Sequence, residues 1–313
     1  MDMQVQYQKF EHPDITAKGE VRALVALTRM HTLWFNTGSL CNITCVGCYM
    51  ESSPKNDRLA YLNLKDVEIY LNEIYDEKIG VREIGFTGGE PFMNPDIIEI
   101  LDLCLARGFD VLVLTNAMKP LHHKKDALLK LKETYADKLG FRVSIDHHIK
   151  EDHESLRGEN TWAPMIEGVS WLSQNNFKLA IAGRTLWHED ETSERNGYGA
   201  MFGHENIPVD AFEPMDLVLF PEMDEKVEVP EITVACWDVL GVQPDAMMCA
   251  TSRMIIKRKG ADGPVIVPCT LLPYDEQFEM GSKLSEADKV VKLNHPHCAK
   301  FCVLGGGSCS KAD

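Results

Sequence analysis

The sequence predicts an α/β fold in which six strand–helix units form a partial (β/α)6 TIM barrel, followed by a small cysteine-rich domain. Apolar segments of strand character alternate with segments of helical period from about residue 30 to residue 220. Their strands are almost continuously apolar, as expected of parallel strands that are covered on both faces. Six units are two fewer than a complete barrel contains. The alternation stops at about residue 233, and the remaining segment carries six of the ten cysteines.

Each unit begins with a short apolar strand and continues into a longer amphipathic segment. Val67, Leu71, Ile74 and Tyr75 lie on one helical face of the first of these segments, and Pro95 suits the first turn of the second. The predicted strands cover residues 31–38, 83–89, 110–116, 141–146, 177–183 and 216–220. The predicted helices cover residues 64–79, 95–107, 123–138, 161–175 and 190–204.

The chain divides into three predicted regions. An N-terminal extension covers residues 1–29, the partial barrel covers 30–220, and the cysteine-rich domain covers 221–313. The second boundary lies at an acidic stretch flanked by prolines, PEMDEKVEVPEI, after which strand and helix patterns no longer alternate.

Charge and hydropathy restrict the class of protein. The 313 residues include 32 basic and 48 acidic side chains, a net charge of −16, which argues against a nucleic-acid partner. No apolar run reaches the roughly 18 residues of a membrane span, and the polar N-terminus lacks a signal peptide. We therefore expect a cytoplasmic protein without a membrane partner. Cytosolic thiols stay reduced, so ten cysteines indicate metal binding or catalysis rather than a disulfide scaffold.

Three cysteines follow the first predicted strand with the spacing CxxxCxxC. Thiolates of Cys41, Cys45 and Cys48 can bind three irons of a cubane cluster and leave the fourth iron open to a substrate or cofactor. A zinc site is an alternative, although zinc requires a fourth ligand and His31 is expected at the far end of the strand. Plain buried thiols are the other alternative.

This motif and its position resemble the radical S-adenosylmethionine (SAM) superfamily over about residues 30–220. Further family-like features close successive strands: a GGEP motif, the segment LTN, the segment SID, and an Arg-Gly pair that follows it. The resemblance implies that the GGEP backbone holds the SAM amino group, that SID contacts the ribose and that the arginine meets the carboxylate. One departure is Gly47, where the family has an aromatic residue, so Tyr49 is expected to contact the adenine. The SAM-binding residues implied are Tyr49, Gly88, Gly89, Glu90, Pro91, Asn116, Ser144, Asp146 and Arg157.

The later cysteines resemble a second family feature. Cys249, thirteen residues, Gly263, five residues and Cys269 resemble the opening of the SPASM and twitch extensions, which hold auxiliary [4Fe–4S] clusters. The implied ligands are Cys249, Cys269 and Cys298, with Cys302 the preferred fourth and Cys309 close behind. Cys236 lies in an apolar stretch and is expected in the core. A structural zinc site using His295 and His297 is the alternative for this domain.

The resemblance implies an enzyme with a SAM-binding [4Fe–4S] cluster, SAM itself and an auxiliary [4Fe–4S] cluster. SAM would be cleaved reductively to a 5′-deoxyadenosyl radical that abstracts a hydrogen atom from a small-molecule or short-peptide substrate, with the auxiliary cluster assisting oxidation. Flavodoxin or ferredoxin is the expected electron donor. A peptide- or protein-modifying maturase is one alternative. A non-enzymatic iron–sulfur or zinc protein for electron transfer or sensing is another, although it leaves the GGEP and SID segments unexplained.

Overall fold

The computed structural model describes residues 7–185, 189–221 and 227–306. Its main sheet has eight strands in the order β7-β6-β5-β4-β3-β2-β8-β9. These strands are β2 (Thr32–Asn36), β3 (Glu83–Thr87), β4 (Asp110–Thr115), β5 (Leu139–Ser144), β6 (Lys178–Thr185), β7 (Leu217–Pro221), β8 (Ser252–Ile256) and β9 (Val265–Val267). A separate antiparallel pair joins β1 (Leu24–Val25) to β10 (Val291–Lys292).

Helices connect the strands of the main sheet. They are α1 (Leu64–Asp76), α2 (Ile97–Ala106), α3 (Lys119–His122), α4 (Lys125–Tyr135), α5 (Lys150–Arg157), α6 (Trp162–Gln174), α7 (Glu191–Glu205) and α8 (Cys236–Leu240). Because β2 to β7 are parallel and adjacent in chain order, the predicted partial barrel of six strand–helix units is confirmed.

The first strands show how alternation separates the barrel interior from the helix layer. Phe35 stacks on Phe86 at 5.8 Å between ring centroids and meets Tyr70 of α1 edge-on at 6.3 Å. These rings therefore face the helices. Trp34 points to the opposite face, where a Cβ atom at Gly85 would lie 2.3 Å from its ring. Glycine is required at residue 85 because the indole fills the barrel interior there.

Two strands of the main sheet, β8 and β9, come from the cysteine-rich region. Residues 252–255 of β8 pair in parallel with residues 32–35 of β2, and β9 then pairs antiparallel with β8. The sequence analysis predicted no strand in this region, because β8 is short and no helix pattern follows it. Pairing with β8 covers the edge of β2, which would otherwise expose unpaired backbone groups. The division at residue 221 stays a prediction.

Parallel strands place all their carboxyl ends at one edge of the barrel. The cysteine loop after β2 and the polar segments after β3, β4 and β5 therefore meet there. Across the described ranges, none of the helices combines the length and the apolar character that spanning a membrane requires.

Candidate active site

A cavity of about 180 Å³ opens at the carboxyl ends of the barrel strands. It brings together residues from the loops after β2, β3, β4 and β5, which are far apart in the sequence. Among the residues predicted to bind cofactors, those lining it are Cys41, Cys45, Cys48, Tyr49, Gly88, Gly89, Asn116, Ser144, Asp146 and Arg157. Glu90 and Pro91 do not line the cavity, and both are buried.

Side chains from other strand ends hold the cysteine loop in place. Asn116 Nδ2 donates to Cys41 Sγ at 3.8 Å and to Asn42 Oδ1 at 2.9 Å. Arg184, at the end of β6, donates to the backbone oxygens of Val46 and Gly47 at 3.0 and 3.1 Å. The positions of the three thiols are therefore fixed by contacts from both sides of the barrel.

Glu90 links the ends of β3 and β4. Its carboxylate accepts hydrogen bonds from Thr115 Oγ1 at 2.8 Å, from the Asn116 backbone at 2.9 Å and from the Phe92 backbone at 3.2 Å. Burial raises the pKa of Glu90 to about 7, despite these hydrogen bonds. A cationic amino group at the cavity would favour the ionised carboxylate, since an opposite charge lowers the pKa of an acid.

The two glycines of the GGEP segment lie against the cysteine loop. Gly88 has a φ of +141°, and a Cβ atom there would lie 2.5 Å from the carbonyl oxygen of Gly38. A Cβ atom at Gly89 would lie 2.0 Å from the carbonyl oxygen of Leu40. The sequence analysis expected these glycines to allow close approach of a ligand. In the structure they also allow close packing of two loops.

Gly89→Ala is expected to destabilise the protein by about 2 kcal/mol or more, because the Leu40 carbonyl must move to admit the methyl group. Gly80→Ala is the matched control, since a Cβ atom at that position meets nothing within 4 Å. The control is expected to change stability by less than about 0.5 kcal/mol. The midpoint of urea unfolding measures both variants, and equal midpoints would contradict the role of Gly89.

Asp146 is the only carboxylate among the cavity-lining residues of the described chain, and two arginines surround it. Arg157 Nη2 lies 2.9 Å from Asp146 Oδ1, and Arg184 Nη1 lies 3.7 Å from Oδ2. Burial lowers the pKa of Arg157, but the Asp146 carboxylate acts in the opposite direction and the net shift is upward, so the guanidinium stays charged. The pairing orients both arginines at the mouth of the cavity.

The thiols of Cys41, Cys45 and Cys48 fit an iron–sulfur cluster better than zinc. In the described part of the chain, one group of potential metal ligands has three donor atoms that all lie within 4.8 Å of one another. This group is His147, His148 and Glu189, and it does not include the three thiols. The three thiols are therefore spread more widely than the ligands of one tetrahedral zinc ion. A cubane cluster places each thiolate on a different iron and needs this wider spacing.

Burial makes thiolates at this site dependent on a cation. It raises the pKa of Cys41 to about 12 and also raises the pKa of Cys45. Iron ions would supply the positive charge that stabilises the thiolates, and three thiols leave one iron of a cubane without a protein ligand.

A second, smaller cavity lies among the later cysteines. Four thiols line it together with apolar side chains of the same region: Cys249, Cys269, Cys298 and Cys302. Burial raises the pKa of Cys249 to about 11. Cys309, the other candidate ligand, lies outside the described residues. Cys236 lies at the start of α8 and does not line this cavity.

One observation favours the zinc alternative for this region, and the spacing of the thiols opposes it. His297 lines the second cavity, and burial lowers its pKa to about 3, which keeps the imidazole in the neutral form that can bind a metal. His295 does not line it. Among the described residues, no three of these four thiols have all their sulfur atoms within 4.8 Å of one another. Four widely spaced thiols match the complete ligand set of a [4Fe–4S] cluster.

The two cavities are adjacent. Leu271 lines both of them. A π-helix, Cys298–Leu304, places Cys298 and Cys302 at the second cavity and Phe301 in the first. Phe301 stacks on Phe220 at 5.2 Å between ring centroids, beside the end of β7. One turn of chain therefore contributes to both candidate cluster sites.

Several cavity residues were missed by the sequence analysis. Arg142 had a local signal, because it is a charged residue in the apolar strand FRVSID. Arg184 lies one residue before the end of β6, and only this position could have indicated that it reaches the site. Phe220, Leu271 and Phe301 reach the cavity from β7 and from the cysteine-rich region. Only the tertiary structure brings these last three to the site.

Known proteins are similar to this chain in sequence and in fold. The family model described as "Radical SAM superfamily" matches residues 35–194, just over half of the chain. The chain is 32% identical over 160 residues to the antilisterial bacteriocin subtilosin biosynthesis protein AlbA of Bacillus subtilis. This match covers 50% of this chain and 34% of AlbA. It is 28% identical over 131 residues to a probable GTP 3′,8-cyclase of Saccharolobus islandicus, which covers 42% of this chain and 39% of that protein.

The structure of Streptococcus suis SuiB bound to its precursor peptide SuiA resembles this fold with a TM-score of 0.58. It shares 15% sequence identity and covers 82% of this chain and 63% of SuiB. The sequence matches to AlbA and to the probable GTP 3′,8-cyclase span little more than a third of the length of each of those proteins. The family match, the thiol-lined cavity and the barrel agree with one another. The chain belongs to the radical SAM superfamily, whose members are enzymes that use a [4Fe–4S] cluster and SAM.

Proposed function

We propose that this protein is a radical SAM enzyme that oxidises a peptide substrate with the help of an auxiliary [4Fe–4S] cluster. The adjacency of the two thiol-lined cavities carries this proposal. An auxiliary cluster at the second cavity would lie next to the cavity in which a substrate radical forms, and is therefore placed to exchange an electron with it.

The first cavity supplies the binding groups. Cys41, Cys45 and Cys48 would hold the first cluster, and the Gly88–Gly89 backbone would orient the SAM amino group. A [4Fe–4S] cluster bound there supplies the electron for cleavage of SAM to methionine and a 5′-deoxyadenosyl radical, which abstracts a hydrogen atom from the substrate. Phe220 and Phe301 border the cavity with apolar surface, which limits the access of water to a reactive species.

The cysteine-rich region would hold the auxiliary cluster. Cys249, Cys269, Cys298 and Cys302 provide four thiols, so the cluster has no need of an open iron site. In this proposal residues 221–313 form the auxiliary-cluster domain, and their strand β8 attaches that domain to the barrel sheet.

The choice of a peptide rests on the relatives. AlbA is named for bacteriocin biosynthesis, and SuiB binds the precursor peptide SuiA. A small-molecule substrate is the second candidate, because the chain also matches a probable GTP 3′,8-cyclase over 42% of its length. We further propose a cytoplasmic location, since the clusters require a reducing compartment, and flavodoxin or ferredoxin as the electron donor.

Transfer of deuterium to 5′-deoxyadenosine tests the substrate class. The reconstituted enzyme is reduced with dithionite under anaerobic conditions and supplied with SAM. It then receives either perdeuterated peptides, from a protein digest of cells grown in deuterated water, or perdeuterated GTP. We expect 5′-deoxyadenosine one mass unit heavier with the peptides alone. Deuterium from GTP alone would favour the second candidate, and no 5′-deoxyadenosine in any sample would contradict the proposed function.

A further inference from the structure

A group of candidate metal ligands lies beside the barrel, apart from the cysteines. His147 and His148 lie in the segment after β5, and Glu189 directly precedes Asp190, the residue that caps α7. The three side chains offer donor atoms that all lie within 4.8 Å of one another. None of them belongs to the described lining of either cysteine-lined cavity. Two imidazoles and a carboxylate form a donor set that suits Zn²⁺.

Packing against α7 fixes the position of His148. A Cβ atom at Gly197 would lie 2.3 Å from Nε2 of His148, so any larger residue on the helix would displace the ring. The ring also meets Tyr198 edge-on at 5.6 Å between ring centroids. Nδ1 of His148 is buried and has no hydrogen-bond partner in the described part of the chain. This nitrogen is therefore available to an ion.

His147 has a carboxylate next to its ring. Its Nδ1 accepts a hydrogen bond from the Ile149 backbone at 3.1 Å, and Asp152 Oδ2 lies 3.4 Å from the same nitrogen. An ion bound at Nε2 would move the ring proton to Nδ1, where Asp152 can accept it. A carboxylate in this position is the usual companion of a metal-binding histidine. Burial lowers the pKa of both histidines, which favours the neutral form that a metal requires.

A buried carboxylate provides an independent indication of a cation. Glu194, in the first turn of α7, is 1% exposed, and neither of its oxygens has a hydrogen-bond partner among the described residues. It lies three residues before Gly197, on the face of α7 that carries His148. Burial, reinforced by the Glu189 carboxylate, raises the pKa of Glu194 to about 7. A cation close to both carboxylates would favour their ionised forms.

We propose that His147, His148 and Glu189 bind a zinc ion that joins the segment after β5 to the start of α7. Three protein ligands leave a fourth position for water, which would offer Glu194 a hydrogen-bond donor. The ion is separate from the clusters and from SAM, so this proposal goes beyond the proposed function and does not depend on it.

The ion would support the wall of the first cavity without entering it. Asp146, which lines that cavity and pairs with Arg157, directly precedes His147 in the sequence. The same segment is already attached to α7, because the Tyr198 hydroxyl donates to the Ile145 carbonyl oxygen at 2.8 Å. A zinc ion beyond Asp146 would add a second attachment.

Zinc and iron analysis of the same sample tests this inference. The oxidised holoenzyme, with its clusters loaded, is dialysed to equilibrium against buffered Zn²⁺ under anaerobic conditions. We expect about one zinc per chain and no loss of iron. X-ray absorption at the zinc edge then identifies the ligands. Nitrogen and oxygen at about 2.0–2.1 Å are expected, whereas thiolate sulfur would lie at about 2.3 Å.

The double variant His147→Gln with His148→Gln is expected to lose the zinc and to keep its iron. The matched control is His122→Gln with His123→Gln, a second pair of adjacent histidines that lies outside the candidate group, and it is expected to keep both metals. Asp152→Asn is expected to weaken zinc binding about tenfold or more, as loss of a carboxylate behind a metal-binding histidine does.

Several results would overturn the proposal. They are the absence of zinc from the wild-type protein, sulfur in its ligand shell, retention of zinc by the double variant, and loss of zinc from the control pair. If the double variant failed to keep its iron, Asp152→Asn and Glu189→Gln would decide, since both side chains are at least partly exposed. Unchanged zinc affinity in both would exclude the site. The measurement requires neither SAM nor a substrate.

Discussion

Replacement of Cys41, Cys45 and Cys48 by alanine is expected to abolish SAM cleavage and to lower the iron content from about eight to about four atoms per chain. The three thiols line the first cavity and are the only cysteines in its described lining. Their removal leaves no ligand for the first cluster there. The four thiols of the second cavity are unchanged and are expected to retain their irons.

The measurement combines iron and sulfide analysis with the yield of 5′-deoxyadenosine after reduction with dithionite. Cys104→Ala is the matched control, since this thiol is fully buried in α2 and lines neither cysteine-lined cavity. The control is expected to keep about eight irons and to cleave SAM. If the triple variant still formed 5′-deoxyadenosine, the assignment of these three cysteines would be wrong. If the wild type contained about four irons per chain and the triple variant contained none, the second cavity would hold no cluster.

The double variant Cys249→Ala with Cys269→Ala is expected to lose about four irons and to keep uncoupled cleavage of SAM. Both thiols lie at the second cavity, and both belong to segments outside the π-helix Cys298–Leu304. The variant therefore leaves Phe301 and the first cavity in place. Because the auxiliary cluster is proposed to exchange an electron with the substrate radical, the oxidised product is expected to be lost.

Cys236→Ala is the control for this variant. Cys236 comes from the same region but lies at the start of α8, outside the lining of the second cavity. Its variant is expected to retain both the iron and the product. Undiminished product from the double variant would remove the auxiliary cluster from the mechanism. Simultaneous loss of all eight irons would instead indicate that the region collapses without the second cluster.

The order of the barrel elements could be predicted because each element has a local pattern. The strand DVLVLT contains a continuous apolar run over residues 111–114, and it forms β4 (Asp110–Thr115) as predicted. The helix predicted over residues 64–79 forms at Leu64–Asp76 and buries Val67, Leu71 and Ile74, whereas Tyr75, which was predicted on the same face, is 82% exposed. Such elements depend on residues within a few positions of one another, and a single sequence contains that information.

The cysteine loop of the first cavity was also predictable, for a related reason. Cys41, Cys45 and Cys48 lie within eight residues, so their spacing alone indicates a shared metal centre. The pairing of β8 with β2 had no comparable signal. It joins residues about 220 positions apart, and the strand is too short to stand out from the loops around it.

The sequence by itself indicated the family through the resemblance of its motifs, and it determined the order of the barrel elements through local periodicity. The tertiary structure alone decided that the two cavities are adjacent, and that Phe301 and Arg142 both line the first of them. Those relations depend on contacts between distant segments. The fold fixes them through strand register and close packing, and neither can be derived from the spacing of residues along the chain.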